Sequence, residues 1–203
     1  VLGTRPEIIK MAPVIRECQR RQVDYFVLHT GQHYSYSMDK VFFDDLELGW
    51  AEHNLEVGSG SHAVQAGRIL EGTEKVFIKE QPDVVLVQGD TNTVMAAALA
   101  AKKLKIGVGH VEAGLRSFDR TMPEEINRVI ADHISDYLFA PTEASRHTCL
   151  MKGSPKACSS PAIRSWMRFT RPRTSRRGGR TSSTSSNCSR RITFSRPRTG
   201  PRT

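Results

Sequence analysis

Two apolar runs of strand length, VVLVQ at 84–88 and IGVGHV at 106–111, bracket an alanine-rich stretch, VMAAALAAKKL at 94–104. This alternation predicts a right-handed βαβ unit whose strands lie buried in a parallel sheet. Each apolar run leads into a polar turn with an acid, Asp90 after the first and Glu112 after the second. Open parallel sheets take their ligands at the carboxyl ends of the strands, so both carboxylates are expected to face one cleft.

The same rhythm extends to either side. Leu2 to Glu7 reads as the end of a strand and a tight turn into a helix, with Thr4 and Glu7 at capping-box spacing and Pro6 in the first turn. Only Val1 and Leu2 precede that turn, which predicts an opening strand that starts further upstream. Ile8, Ile9, Met11, Ala12, Val14 and Ile15 supply the buried stripe of a helix to about Gln22. A strand is expected over Tyr25 to His29, then a helix from Ser37 to Leu46 with Val41, Phe42 and Leu46 inward, then a short strand over Asn54 to Val57. A long helix follows from His62 to about Glu80, its core side carrying Val64, Ile69, Leu70, Val76, Phe77 and Ile78. Beyond the central unit the pattern gives a helix from Met122 to about Ser135 with Ile126, Val129, Ile130 and Ile134 inward, a strand over Tyr137 to Ala140, and a helix capped by Thr142. About six βα repeats without internal sequence repetition describe a doubly wound, Rossmann-like α/β domain.

Charge divides the chain. Residues 1–153 carry 17 Lys+Arg against 21 Asp+Glu, a net charge of −4, whereas residues 154–203 carry 13 basic residues and no acid, so the overall +9 belongs to the tail. That tail is rich in Arg, Ser, Thr, Pro and Gly and has no apolar period. Such a composition buries too little surface to fold, and the abrupt change predicts a disordered, non-homologous, out-of-frame segment, with a basic interaction arm as the alternative. Two domains of unequal kind follow: 1–153 folded and 154–203 low in complexity. Cys18, Cys149, Cys158 and Cys188 lack CxxC spacing, so neither a disulfide framework nor a zinc site is expected. No run approaches the length of a membrane span and no signal peptide opens the chain, which predicts a cytoplasmic protein.

The turns carry the candidate chemistry. The turn at Gly3 holds no GxGxxG, so no nicotinamide or flavin cofactor is indicated. It places Arg5 and Lys10 near a helix N-terminus, either as a clamp on a phosphate or diphosphate or as a solvated basic pair. Asp90 is either the cap of the helix beginning near Asn92 or a proton carrier or hydroxyl ligand. Glu112 has no helix to cap, and Glu124 stands at capping-box spacing from Thr121. Together Asp90, Glu112 and Glu124 are three carboxylates on successive C-terminal turns of one sheet. His110, inside a strand, is expected to be a satisfied core residue, while His33 lies in a polar turn open to a ligand or partner. HExxH and Gly-x-Ser-x-Gly patterns are absent, so metal hydrolysis and serine chemistry have no support.

The segments GTRPEIIKMAPVI, TGQHYS, RILEG, PDVVLVQGDTNT, GHVEAGLRSFDRTMPEEINR and APTEASR run in order through residues 1–152. Together they resemble the non-hydrolysing UDP-N-acetylglucosamine 2-epimerases. The resemblance implies the first domain of a two-domain, GT-B-type architecture. It also implies interconversion of UDP-N-acetylglucosamine and UDP-N-acetylmannosamine without a cofactor, through elimination of UDP to a 2-acetamidoglucal and its re-addition. By motif match, Arg5 and Lys10 contact substrate, and Asp90, Glu112 and Glu124 are the acid and base candidates. Gln32 and Arg68 match positions near a regulatory nucleotide-sugar site, although Ser35 departs from the glutamine found in bacterial members. The family further implies a homodimer that binds the nucleotide sugar and neither nucleic acid nor membrane. Nothing after 153 resembles the second domain, so the chain as written is expected to be inactive and poorly stable. Rival readings are a hydrolysing epimerase or glycosyltransferase of the same architecture, and a binding protein that uses its basic tail on nucleic acid or a membrane.

Overall fold

The structure, a computed structural model, describes residues 1–31, 36–151 and 157–158; for 36–40 and 157–158 it describes the backbone alone. In chain order the elements are α1 (Arg5–Arg20), β1 (Leu28–His29), α2 (Tyr36–Asp45), β2 (His53–Asn54), α3 (His62–Glu80), β3 (Val84–Gln88), α4 (Asn92–Lys103), β4 (Gly107–Val111), α5 (Pro123–Ile134), β5 (Tyr137–Phe139), α6 (Glu143–Met151) and β6 (Ala157–Cys158). Every described strand pairing is parallel.

β3 and β4 align from Val84 opposite Gly107 to Gln88 opposite Val111, and β5 and β6 continue the sheet beyond them. β1 pairs with β2. Leu2 joins the two sets: its N–H donates to Leu28 O at 2.9 Å and its carbonyl accepts from Thr30 N at 2.8 Å, while the Val1 amino group donates to Leu86 O at 2.9 Å. The opening segment therefore lies between β1 and β3. Counting that segment first, the strands lie in the chain order 3-2-1-4-5-6-7, the doubly wound arrangement whose ligand crevice opens where the order reverses. Here that point falls between the turn after Leu2 and the turn after Gln88.

The core occupies both faces of the sheet. Ile8, Met11, Ala12 and Ile15 of α1 pack with Phe43, Leu48 and Val111 on one face. Phe77 of α3 and the alanines of α4 pack with Val85, Val87 and Val108 on the other. Ala97, Ala98 and Ala101 are fully buried, and their small side chains let α4 lie close to both the sheet and α3.

The alternation of apolar residues locates the elements well and their faces less well. The strands expected over 25–29 and 54–57 contract to Leu28–His29 and His53–Asn54. Val41, Val64, Ile78 and Ile126, expected inside, are 53%, 48%, 58% and 50% exposed. For α3 the reason is the helix face: the buried stripe runs through Ile69, Thr73 and Phe77 at four-residue spacing, and Val64 and Ile78 fall to either side of it. The sheet also passes the composition break at Gly153, since Ala157–Cys158 pairs with Leu138–Phe139.

Candidate active site

Three turns meet at the switch point: Gly3–Thr4 after Leu2, Gly89–Thr91 after β3, and Glu112–Gly114 after β4. Thr4 precedes α1 with extended backbone but makes no side-chain cap. Glu7 caps instead. One carboxylate oxygen accepts from Gly3 N at 2.5 Å, the Thr4 N–H adds a further bond, and the other oxygen accepts from Thr91 Oγ1 at 2.7 Å. Glu7 thus ties the first turn to the second. Burial pushes its carboxyl up to about 7, against the opposing pull of Thr91, Gly3, the N-terminal ammonium and Thr4. The contact is close elsewhere too: Thr30 Oγ1 and Thr93 Oγ1 lie 2.8 Å apart, and a Cβ on Gly3 would stand 2.1 Å from Thr93 Oγ1.

α1 presents Lys10 to the third turn, where its Nζ donates to Glu112 Oε2 at 2.8 Å. Gln88, the buried polar residue that ends β3, donates to the same oxygen. Glu112 holds φ +68°, the left-handed region that non-glycine residues rarely occupy. Arg5 stands with its guanidinium carbon 5.9 Å from the centre of the Phe42 ring.

Asp90 does not cap α4. The residue at the N-cap is Thr91, and the Asp90 carboxylate pairs with Arg128 of α5. The capping box proposed for Thr121 and Glu124 is absent as well, because Met122 occupies the N-cap and Thr121 Oγ1 donates to Asp119 at 2.6 Å. Glu124 is exposed, and no described residue hydrogen-bonds its side chain. Its neighbour Glu125 is the buried acid, accepting from Ser117 N at 3.0 Å, Ser117 Oγ at 3.2 Å and Arg128 Nη1 at 3.3 Å. Burial raises the Glu125 carboxyl, but Ser117, Arg128 and Arg116 outweigh it and hold the group below the usual range.

His110 is the satisfied core residue anticipated: Nδ1 lies 2.7 Å from Asp132 Oδ1 and Nε2 lies 2.8 Å from Gly89 O. Asp132 also accepts from Gly114 N at 3.0 Å and Arg116 Nη2 at 2.5 Å. Burial works against its ionisation, and the bonds to His110 and Arg116 prevail and lower its carboxyl. Arg68, by contrast, is exposed, with Nη1 3.4 Å from Val57 O; Gln32 and His33 lie outside the described residues.

Lys10 of α1 therefore meets Glu112, and Asp90 stands on the neighbouring turn paired with Arg128, whereas Arg68 lies on α3. Residue types and spacing passed over Gln88, Arg116, Glu125, Arg128 and Asp132. Gln88 left a trace as a polar residue closing an apolar strand. The others read as ordinary helical or loop charges, and apart from the Glu125–Arg128 pair within α5 their partners lie on different elements.

The family model for UDP-N-acetylglucosamine 2-epimerase matches residues 16–158. UDP-N-acetylglucosamine 2-epimerase of Methanocaldococcus jannaschii is 61% identical over 153 residues, covering 75% of this chain and 42% of that protein. UDP-2,3-diacetamido-2,3-dideoxy-D-glucuronate 2-epimerase of Pseudomonas aeruginosa is 43% identical over 146 residues, covering 71% and 41%. The crystal structure of the Methanocaldococcus jannaschii UDP-GlcNAc 2-epimerase in complex with UDP-GlcNAc and UDP superposes with TM-score 0.75 at 59% identity, over 77% of this chain and 44% of that one. The chain thus spans about two fifths of the length of these relatives. By the family-model match over more than half of its length, the chain belongs to the UDP-N-acetylglucosamine 2-epimerase family.

Proposed function

We propose that this chain supplies the first half of an epimerase that inverts C2 of a UDP-2-acetamido sugar, interconverting UDP-N-acetylglucosamine and UDP-N-acetylmannosamine. The pairing of Lys10 with Glu112 beside the Asp90 turn carries this reading. It gathers a cation suited to a departing diphosphate and two carboxylates suited to proton transfer at one crevice. C2 is not next to a carbonyl, so simple deprotonation there is prohibitive. Elimination avoids the problem: a carboxylate takes the C2 proton, the C1–O bond to UDP breaks with its electron pair leaving on the phosphate oxygen, and a C1–C2 double bond forms. UDP then returns to C1 while a carboxyl group delivers a proton to the opposite face of C2. Arg5 and Lys10 hold the diphosphate, and Asp90, Glu112 and Glu124 exchange the protons. The second half of the cleft is assigned to the part of the relatives' length that the match does not cover, and the complete protein is taken as a homodimer. Gln32 and Arg68 are retained as a regulatory nucleotide-sugar subsite.

Identity of 61% to the archaeal relative favours the N-acetylglucosamine substrate over the diacetamido-glucuronate of the 43% relative. The test is a chimera in which residues 1–158 replace the matching segment of the Methanocaldococcus jannaschii enzyme. Equilibration of the two UDP-sugars in D2O, with deuterium entering C2, is the expected result. Release of free N-acetylmannosamine, or turnover without deuterium at C2, would overturn the reading.

A further inference from the structure

α5 is built against its own amphipathicity. It buries Glu125, Asn127 and Asp132 with Ala131 and leaves Ile126 half exposed. Sinking polar groups costs free energy unless each finds partners, so a helix that turns its polar face inward has those partners to hold. They lie on the turns of the crevice. Asn127 Nδ2 donates to Asp90 O at 2.9 Å and to Asn92 Oδ1 at 3.3 Å. Arg128 grips the Asp90 carboxylate and reaches Glu125 Oε2 at 3.3 Å with its other terminal nitrogen. Asp132 acts at one remove: it holds His110 at 2.7 Å, and His110 in turn lies 2.8 Å from the carbonyl of Gly89.

We propose that Asn127, Arg128 and Asp132 are positioning residues that fix the Gly89–Asp90 turn by its carboxylate and two carbonyls, and through His110 and Gly114 tie it to the turn bearing Glu112. The functional part of this statement rests on the epimerase reading above. Glu112, at φ +68°, keeps a left-handed backbone that non-glycine residues rarely hold, whereas Gly89 reaches φ +86° without a steric penalty. Asp132 closes the pair, since it bonds His110 on the near side of Glu112 and Gly114 N on the far side. Charges alternate along the array, from Asp90 to Arg128, Glu125, Arg116 and Asp132. Arg128 feels burial against it, yet Asp90 and Glu125 raise its affinity for the proton, so the guanidinium is a fixed charge in this array. None of the three positioning residues is required to touch the reacting atoms.

Two measurements test the proposal. In the 203-residue chain, amide exchange at Gly89, Asp90 and Glu112 is compared among the parent, Arg128→Met, Arg128→Lys and Asp132→Asn, with α3 amides as the folding control. Loss of protection at the two turns on a scale of tenfold or more, with α3 unchanged and Arg128→Lys partly restored, is expected. Unchanged turn amides in both Arg128→Met and Asp132→Asn would overturn the clamp. In the chimera, Arg128→Met and Asp132→Asn should lower kcat by on the order of 10²-fold, and Arg128→Lys by less, while KM moves about threefold or less, because a misplaced carboxylate impairs chemistry more than binding. An active chimera whose kcat ignores these substitutions would also overturn it. An inactive parent chimera counts against the epimerase reading, and the amide measurement then decides the clamp alone.

Discussion

Lys10 Nζ and Glu112 Oε2 lie 2.8 Å apart across the switch point although 102 residues separate them in sequence. α1 carries the cation and the turn after β4 carries the acid, so the contact exists only once the opening segment at Leu2 and β4 share a sheet. The Glu112 side chain is 13% exposed and that of Lys10 37%, which places the pair between a solvent-screened surface contact and a buried one.

Double-mutant analysis of this pair should therefore return a modest coupling. Lys10→Met, Glu112→Gln and the double variant, compared by urea unfolding, are expected to give about 1 kcal/mol, falling as salt is raised. Strict additivity at low salt would mean that the pair does not form in solution.

Glu7 predicts a pH dependence of definite sign. Its carboxyl moves from an ordinary value of 4.5 to about 7 on folding, so between these values the folded chain keeps a proton that the unfolded chain has released. The stabilisation is fully present below pH 4.5 and is lost as pH rises through about 7. At about 1.4 kcal/mol per pH unit, the loss is at most about 3.5 kcal/mol. Unfolding free energies at pH 5 and pH 7.5 should show this fall in the parent and a shallower one in Glu7→Gln. Equal slopes in the two proteins would exclude Glu7 as the cause.

Gly114 tolerates no side chain. It sits at φ +78°, and an added Cβ would meet Ser145 O at 2.1 Å and Cys149 Sγ at 2.6 Å. The obstacle is partly backbone, so neither rotamer change nor a small side-chain shift relieves it. Gly114→Ala should cost roughly 3 kcal/mol or more, read as a lowered denaturation midpoint at unchanged m-value. A midpoint near that of the parent would show that α6 moves away from the turn freely.

Where the chain is cut should matter in a particular way. Ending it at Gly153, where the charge composition changes, removes Ala157–Cys158 and strips β5 of a pairing partner. Ending it at Pro172 keeps β6. The shorter form should melt several degrees below the parent and the longer form within about a degree of it, since losses on the order of 1 kcal/mol shift Tm by about 2–8 °C in domains of this range. Equal melting of all three forms would mean that β6 adds nothing to the sheet.

The repeating α/β order was legible because its signal is local. A buried parallel strand needs a continuous apolar run and a covering helix needs a 3.6-residue stripe, so Val84–Gln88, the alanines of α4 and Gly107–Val111 declare themselves within a short window. The same locality made the acids after strands conspicuous, so Asp90 and Glu112 stood out as candidates. Capping spacing, though equally local, misled at Asp90 and at Thr121 with Glu124, because a carboxylate bonds to whatever donor the folded chain brings nearest. For Asp90 that donor is Arg128, on the far side of two intervening elements.

Sequence by itself determined the fold class, the helix and strand order, and the chemical kinds of residue at the crevice, because these depend on near neighbours and on residue type. Tertiary structure alone decided which charges are neighbours, that α5 turns Glu125, Asn127 and Asp132 inward, and that Glu7 is shared between two turns. Burial strengthens such pairings and penalises any unpaired partner, and burial arises only when distant segments pack together.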